Sequence, residues 1–179
     1  ISYPFAGIET LDNTIPEDQW SSIEGVIGEG VAATYNPVLG WVGSLSALEG
    51  GKGYWFKVNQ AIDFTYIPPS DAARISSTVN TIETLSEFEY TQSTRQSFYF
   101  IESIDGVEEG DWILAYNDNV LVGARPWNGS YTDVPAMGYD SDLNTAGYCE
   151  SGDIVRFKIF KSTTGAIFNL KSDTNQIWE

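Results

Sequence analysis

Apolar and polar positions are most regular on either side of Asn117-Asp118-Asn119, where two blocks of strand-forming residues, Trp112 to Tyr116 and Val120 to Ala124, face each other. The three residues between them tolerate positive φ and hydrogen-bond to their own backbone, so the pattern predicts a β-hairpin. Trp112, Leu114 and Tyr116 project from one face and Ile113 and Ala115 from the other. With both faces apolar, this hairpin belongs in the middle of a sheet that is covered on both sides.

The N-terminal half follows the same logic with shorter segments. Ile1 to Ala6 reads as a strand that Pro4 confines to an edge. Thr14-Ile-Pro-Glu17 carries the signals of a helix start, which predicts about two turns through Ile23 burying Ile15, Trp20 and Ile23. Val26-Ile27 and Val31 to Tyr35 form two arms about Gly28-Glu-Gly30, and Trp41 to Leu45 is the next strand. Ser46 to Gly53 is expected to be a helical turn or loop, and Tyr54 to Val58 to pair as a hairpin with Ile62 to Ile67. In the C-terminal half the predicted strands are Phe88 to Tyr90, Ser97 to Ile101, the central hairpin, Ile154 to Phe160, Ala166 to Leu170 and Ile177-Trp178. Arg156 and Lys158 alternate with Val155, Phe157 and Ile159, so that strand has one wet face and one dry face.

Short strands separated by Gly, Asn and Asp turns indicate an all-β protein with minor helix, built of two small antiparallel modules. Pro68-Pro69 closes the first, since proline donates no ladder hydrogen bond. The expected division is a β module with one short helix over 1–68, a Ser/Thr-rich linker over 69–86, and a sandwich or partly open barrel over 87–179.

Composition narrows the chemistry. The 179 residues, 42% hydrophobic, suffice for one large core or two small ones. Nine basic against 25 acidic residues give a net charge of −16, which repels nucleic acid and anionic lipid surfaces. No apolar run reaches the ~18 residues that a membrane span requires, so no membrane insertion is expected. The lone cysteine, Cys149, forms no intrachain disulfide and, without a cationic neighbour in the sequence, is expected to be a buried, inert thiol. Histidine is absent altogether, which removes the usual general base and the commonest ligand of zinc and iron. The start at Ile1 without a methionine reads as a processed protein or an excised portion.

Two loop sets carry candidate ligand chemistry. Asp140-Ser-Asp-Leu-Asn144 presents oxygens at alternate positions, as a calcium loop does, but Thr145 and Ser151 stand where the glycine and the closing glutamate of that pattern belong. The stretch is either a solvated acidic turn or part of a calcium site, for which Asp118, Asp133, Asp140, Asp142 and Asn144 are the candidate donors. Trp127-Asn-Gly-Ser-Tyr131 places aromatics around an Asn-Gly turn. With Tyr139 it forms the candidate glycan platform, Trp127, Asn128, Tyr131 and Tyr139, against the alternative that these rings pack the core. A carboxylate pair could drive glycoside hydrolysis, but nothing marks one Asp or Glu as buried against a partner. No catalytic residue is assigned.

Gly40-Trp-Val-Gly-Ser-Leu-Ser-Ala-Leu-Glu-Gly-Gly-Lys-Gly-Tyr-Trp-Phe-Lys57 resembles the short glycine- and tryptophan-rich modules of surface, secreted and virion proteins of marine bacteria and their phages, including cyanophages. Phe98-Tyr-Phe, Gly110-Asp-Trp-Ile, Val122-Gly-Ala-Arg-Pro-Trp-Asn-Gly, Asp133-Val-Pro-Ala-Met-Gly-Tyr-Asp140 and Phe157-Lys-Ile-Phe160 together resemble a second module that often accompanies the first. The resemblance implies an extracellular, cell-surface or virion location and supplies no catalytic residue. The expected function is a non-enzymatic structural, decoration or adhesion protein, with copies of itself or other surface and virion proteins as partners. The alternative is a secreted carbohydrate-binding module with calcium-ordered loops and glycan ligands.

Overall fold

The computed structural model describes residues 1–69 and 85–179, of which the expected linker supplies only Pro69 and the residues after 84. The chain is all-β with minor helix, 41% strand and 9% helix. It divides into two compact units, Ile1–Thr81 and Ile82–Glu179.

In the first unit β1 (Ile8–Thr10) leads into a single helical turn, α1 (Leu11–Thr14), and a 3-10 turn, Glu17–Ser22, before β2 (Ile23–Ile27), β3 (Ala32–Asn36), β4 (Gly40–Gly43), β5 (Ala47–Glu49) and β6 (Trp55–Val58). One antiparallel sheet has the order β4-β3-β2-β6, and β1 pairs with β5 in a second. Tyr3, Leu11, Ile15, Ile23, Val26, Leu48 and Tyr54 form the core between these elements.

Several local expectations are corrected here. The helix predicted through Ile23 forms as a 3-10 helix over Glu17–Ser22 and starts later than Thr14, because Pro16 forces its predecessor out of helical backbone. Ile15 is extended at φ −102° and ψ 125°. Ile15 and Ile23 are nonetheless buried, and the Trp20 indole donates to the Ile15 carbonyl at 2.9 Å. Thr14 ends a helical turn instead of capping one, its hydroxyl donating to the Thr10 carbonyl at 2.9 Å. Residues 1–6 contribute one bridge, Ser2 with Gly53, in place of a strand. Ser46 to Gly53 contains β5, and Ile62 to Ile67 contains no strand. Phe64 and Tyr66 alternate inward and pack edge-on, 5.2 Å between centroids, so the chain has strand periodicity without a ladder.

The second unit opens with a 3-10 turn at Ser86–Phe88, where a strand was expected, and buries Phe88. β7 (Gln96–Ile101), β8 (Trp112–Asn117), β9 (Val120–Pro126), β10 (Thr132–Met137), β11 (Ile154–Lys161), β12 (Ala166–Asn169) and β13 (Gln176–Ile177) follow. The larger sheet runs β12-β11-β8-β9, with β13 also paired to β11, while β10 and β7 form a separate antiparallel pair. The central hairpin forms as the sequence predicts. Asn117 pairs with Val120, and Asp118 takes the positive φ, 49°, at the tip.

β8 lies between β11 and β9, and each of its faces is covered by a different cluster. Ile113 and Ala115 join Val122, Val134, Met137, Val155 and Phe157 on the inner face. Trp112 and Leu114 meet Phe88 and Ala124 on the outer face, with Tyr116 packed alongside. Burying each large side chain of this strand is worth roughly 1.5–3 kcal/mol, which makes β8 the centre of the unit.

β10 is buried along its whole length and passes over the inner face of β9. Gly123 is in register with inward-facing Ala115, and a Cβ there would collide with the Pro135 carbonyl. Glycine is therefore required by the closeness of two backbones. β10 itself escapes sequence reading because Asp133 and Pro135 interrupt its pattern; the proline is tolerated on a strand that, among the described residues, pairs only with β7.

Candidate functional site

A groove of about 1110 Å³ opens along the side of the second unit where β7 faces the first half of β11 and the segment leading to β13. Its walls are residues 98–105, 154–157 and 169–176. β7 borders it as a strand that pairs only with β10 among the described residues, and all six of its residues are half-buried. Tyr99 forms the fixed point of the floor. Its ring stands edge-on to Phe157, 5.2 Å between centroids, and its hydroxyl donates to the Ile177 carbonyl at 3.0 Å. Burial is the main influence pushing its phenol pKa upward, with Cys149 and Glu179 adding to it, so it stays protonated and remains a donor. Ser97 donates to the Glu179 carbonyl at 2.8 Å, and together these bonds tie the last strand to β7.

The opposite wall is stiffened by its own side chains. The Leu170 amide donates to the Phe157 carbonyl at 2.9 Å. The Gln176 amide donates to the Ser172 hydroxyl at 2.8 Å, to the Thr174 hydroxyl at 2.9 Å and to its carbonyl at 3.1 Å. Asn169, Lys171, Asp173 and Asn175 stand on this framework as exposed polar side chains.

The groove excludes the residues that the sequence nominated. Trp127 is half-buried against the inner core and its amide donates to the Asp111 carbonyl at 2.8 Å. Asn128 is exposed, its amide donating to the Thr132 hydroxyl at 3.1 Å, and Tyr131 turns the chain with φ 64°. Tyr139 lies beyond the other end of β10, half-buried, and its carbonyl accepts from Arg95 at 3.1 Å. At ~3.3 Å per strand residue, Tyr131 and Tyr139 are roughly 20 Å or more apart along β10, so the four residues do not make one platform.

The nominated cation donors are likewise dispersed. Asp118 at the β8–β9 tip pairs with Arg156 at 2.9 Å, an exposed contact. Asp133 is buried and bonded to Arg125, whose Nε donates to its carbonyl at 2.7 Å and whose Nη2 meets its carboxylate at 3.1 Å. Asp140, Asp142 and Asn144 do share a loop, but its carboxylate oxygens accept from donors of the loop itself and of the Ser93–Thr94 segment. Asp140 accepts from the Thr145 hydroxyl at 2.7 Å, the Ser93 hydroxyl at 3.1 Å, and the Thr94 and Asp142 amides at 3.2 Å. Led by the Thr145 bond, these contacts pull its carboxyl down to about 2. Asp142 accepts from the Asn144 amide at 2.8 Å and side chain at 2.9 Å, capping a short 3-10 turn. The carboxylates of this loop already accept from protein donors, and among the described residues no group of three or more His, Cys, Asp or Glu converges as a metal site.

Two further ionisable groups are held in the interior of the unit. Asp111 is fully buried beneath the hairpin, where burial would raise its pKa; the Lys161 ammonium at 2.5 Å and the amides of Glu108 and Ser162 outweigh this and hold it below the usual range. Burial pushes the Cys149 thiol up to about 12, so it is an inert core residue. The groove was missed in the sequence because it depends on which strand β7 leaves unpaired. One signal was present: the polar run Lys171 to Gln176 between two apolar strands.

Comparison with protein-family models, with curated proteins and with solved structures finds no match to this chain. No helix among the described residues is long and apolar enough to cross a membrane.

Proposed function

We propose that this chain is a non-enzymatic structural, decoration or adhesion protein displayed at a cell or virion surface, outside the cytoplasm, and that it works by contact and not by turnover. The observation that carries this is the outer edge of the second unit. β12 pairs only with β11 among the described residues and exposes Ile167 at 49% and Phe168 at 56%, on opposite faces. Apolar side chains on an unpaired edge are costly to leave in water and suit a neighbouring protein surface. Trp55, 75% exposed on β6, gives the first unit a comparable point. The charge of −16 keeps the free chain soluble until such contacts form.

The ionisable groups point the same way. Asp111 and Asp140 are shifted toward permanent charge, the reverse of what a general acid at neutral pH requires. The sequence resemblance to surface and virion modules agrees with this reading.

The test is quantitative protein analysis of purified virions or of isolated cell envelopes. The proposal expects the chain as a multi-copy subunit retained through washing, and Phe168→Glu, which charges the exposed edge, to release it without unfolding it. Recovery only as a free monomer in the cytoplasmic fraction would refute it.

A further inference from the structure

We infer that the groove of the second unit is an oligosaccharide-binding site selective for uncharged glycans. The inference rests on the adhesion reading above and gives that reading a ligand class. At about 1110 Å³ the groove lies just above the usual range of ligand pockets, roughly 300–1,000 Å³, so it has room for more than a single sugar ring. Sugars need two things from such a site: an apolar ring surface for their C–H faces, and hydrogen-bonding groups at the level of their hydroxyls.

Both are present. Tyr99, half-buried, and Phe157 line the groove with their rings 5.2 Å apart and the Tyr99 hydroxyl held by the Ile177 carbonyl, and Phe98 and Phe100 are among the residues that border it. Asn169, Asp173 and Asn175 also line the groove, and their side chains make no hydrogen bond among the described residues, although the segment that bears them is braced by Gln176. An amide offers two donors and an acceptor, which matches vicinal hydroxyls in either orientation. A braced segment with unused amides costs little to order on binding.

The charge sets the selectivity. Glu102, Asp105 and Asp173 line the groove together with Lys171, while its other lining cation, Arg156, is already paired with Asp118. Within a chain of net charge −16 this wall repels uronate and sulfate groups. Neutral sugars avoid that cost.

The experiment is affinity electrophoresis of the intact chain in gels containing a neutral β-glucan, galactan or mannan, or the anionic polymer alginate, followed by calorimetry with the polymer that retards it. The expected result is retardation by at least one neutral polymer and none by alginate. Asn169→Ala with Asn175→Ala removes about two hydrogen bonds and weakens binding about tenfold, with unchanged circular dichroism and melting temperature. Asn128→Ala, outside the groove, binds as the wild type does.

Retardation by no neutral polymer, retardation by alginate alone, or undiminished binding by the double variant would each overturn the inference. None of these touches surface display, which fractionation tests separately. Shortening of the bound polymer would keep the groove and sink the non-enzymatic reading.

Discussion

The buried pair of Arg125 and Asp133 offers the sharpest energetic test of the second unit. Both residues are almost wholly withdrawn from solvent, at 1% and 2% exposure, and they join β9 to the overlying β10. Removing one partner of such a pair leaves a charge in a medium that cannot solvate it, a loss of about 3–5 kcal/mol. Asp133→Ala should therefore destabilise the second unit by that amount. For a unit of this size each kcal/mol moves the midpoint by about 4–8 °C, so the melting temperature should fall by roughly 12 °C or more. Replacing both residues with apolar ones of similar volume, Arg125→Met with Asp133→Leu, should recover most of the loss because no lone charge remains. The assay follows from the composition: Cys149 is the only thiol and is buried in this unit, so its modification across a urea titration reads this unit alone. An Asp133→Ala protein within 1 kcal/mol of wild type, or a double variant worse than the single one, would refute the argument.

Cys149 should react negligibly with a thiol reagent at pH 8 in the native protein and with one equivalent in denaturant; fast native labelling would contradict its burial and its raised pKa. Asp140, depressed to about 2, and Asp111, also depressed, contribute stability that is fully present above the ordinary carboxylate range near 4 and is lost as pH falls through their folded values, so urea midpoints should drop between about pH 4 and 2. Lys161, raised chiefly by its bond to Asp111, adds the mirror effect: its stabilisation holds below about pH 10 and fades as pH rises through the higher folded value. Chelation should leave the melting temperature within about 1 °C and added calcium should not raise it, because the Asp140 loop is closed by its own donors; a calcium-dependent rise would contradict that geometry. Gly123→Ala should destabilise the second unit severely by forcing β10 off β9, whereas Gly129→Ala, with open space around it, should cost only the strain of a positive φ.

The part of the fold legible in the sequence was the part set by local periodicity. The central hairpin announces itself because turn chemistry at Asp118 and two-sided apolar alternation agree, and β11 because its charged residues alternate with Val155, Phe157 and Ile159. Where a tertiary partner decides the outcome, the signal fails. Ala47–Glu49 becomes a strand only because Ile8–Thr10 lies beside it, and Ile62, Phe64 and Tyr66 keep strand spacing but find no ladder.

The nominated residues are dispersed for a related reason. Aspartates close in sequence were read as oxygens free for a cation, yet Asp140 spends both of its oxygens on Ser93, Thr94, Asp142 and Thr145, and Asp133 faces an arginine on another strand. Trp127 was placed in an open loop by Pro126 and Gly129, but it folds back on the inner core. The groove draws on segments more than 60 residues apart and has no linear signature beyond one polar run.

The account stands most directly on surface display, and antibody labelling of intact virions or intact cells, with and without permeabilisation, measures it. Strong labelling without permeabilisation, at many copies per particle or cell, is the predicted result. Labelling that emerges only after the envelope is breached would contradict it.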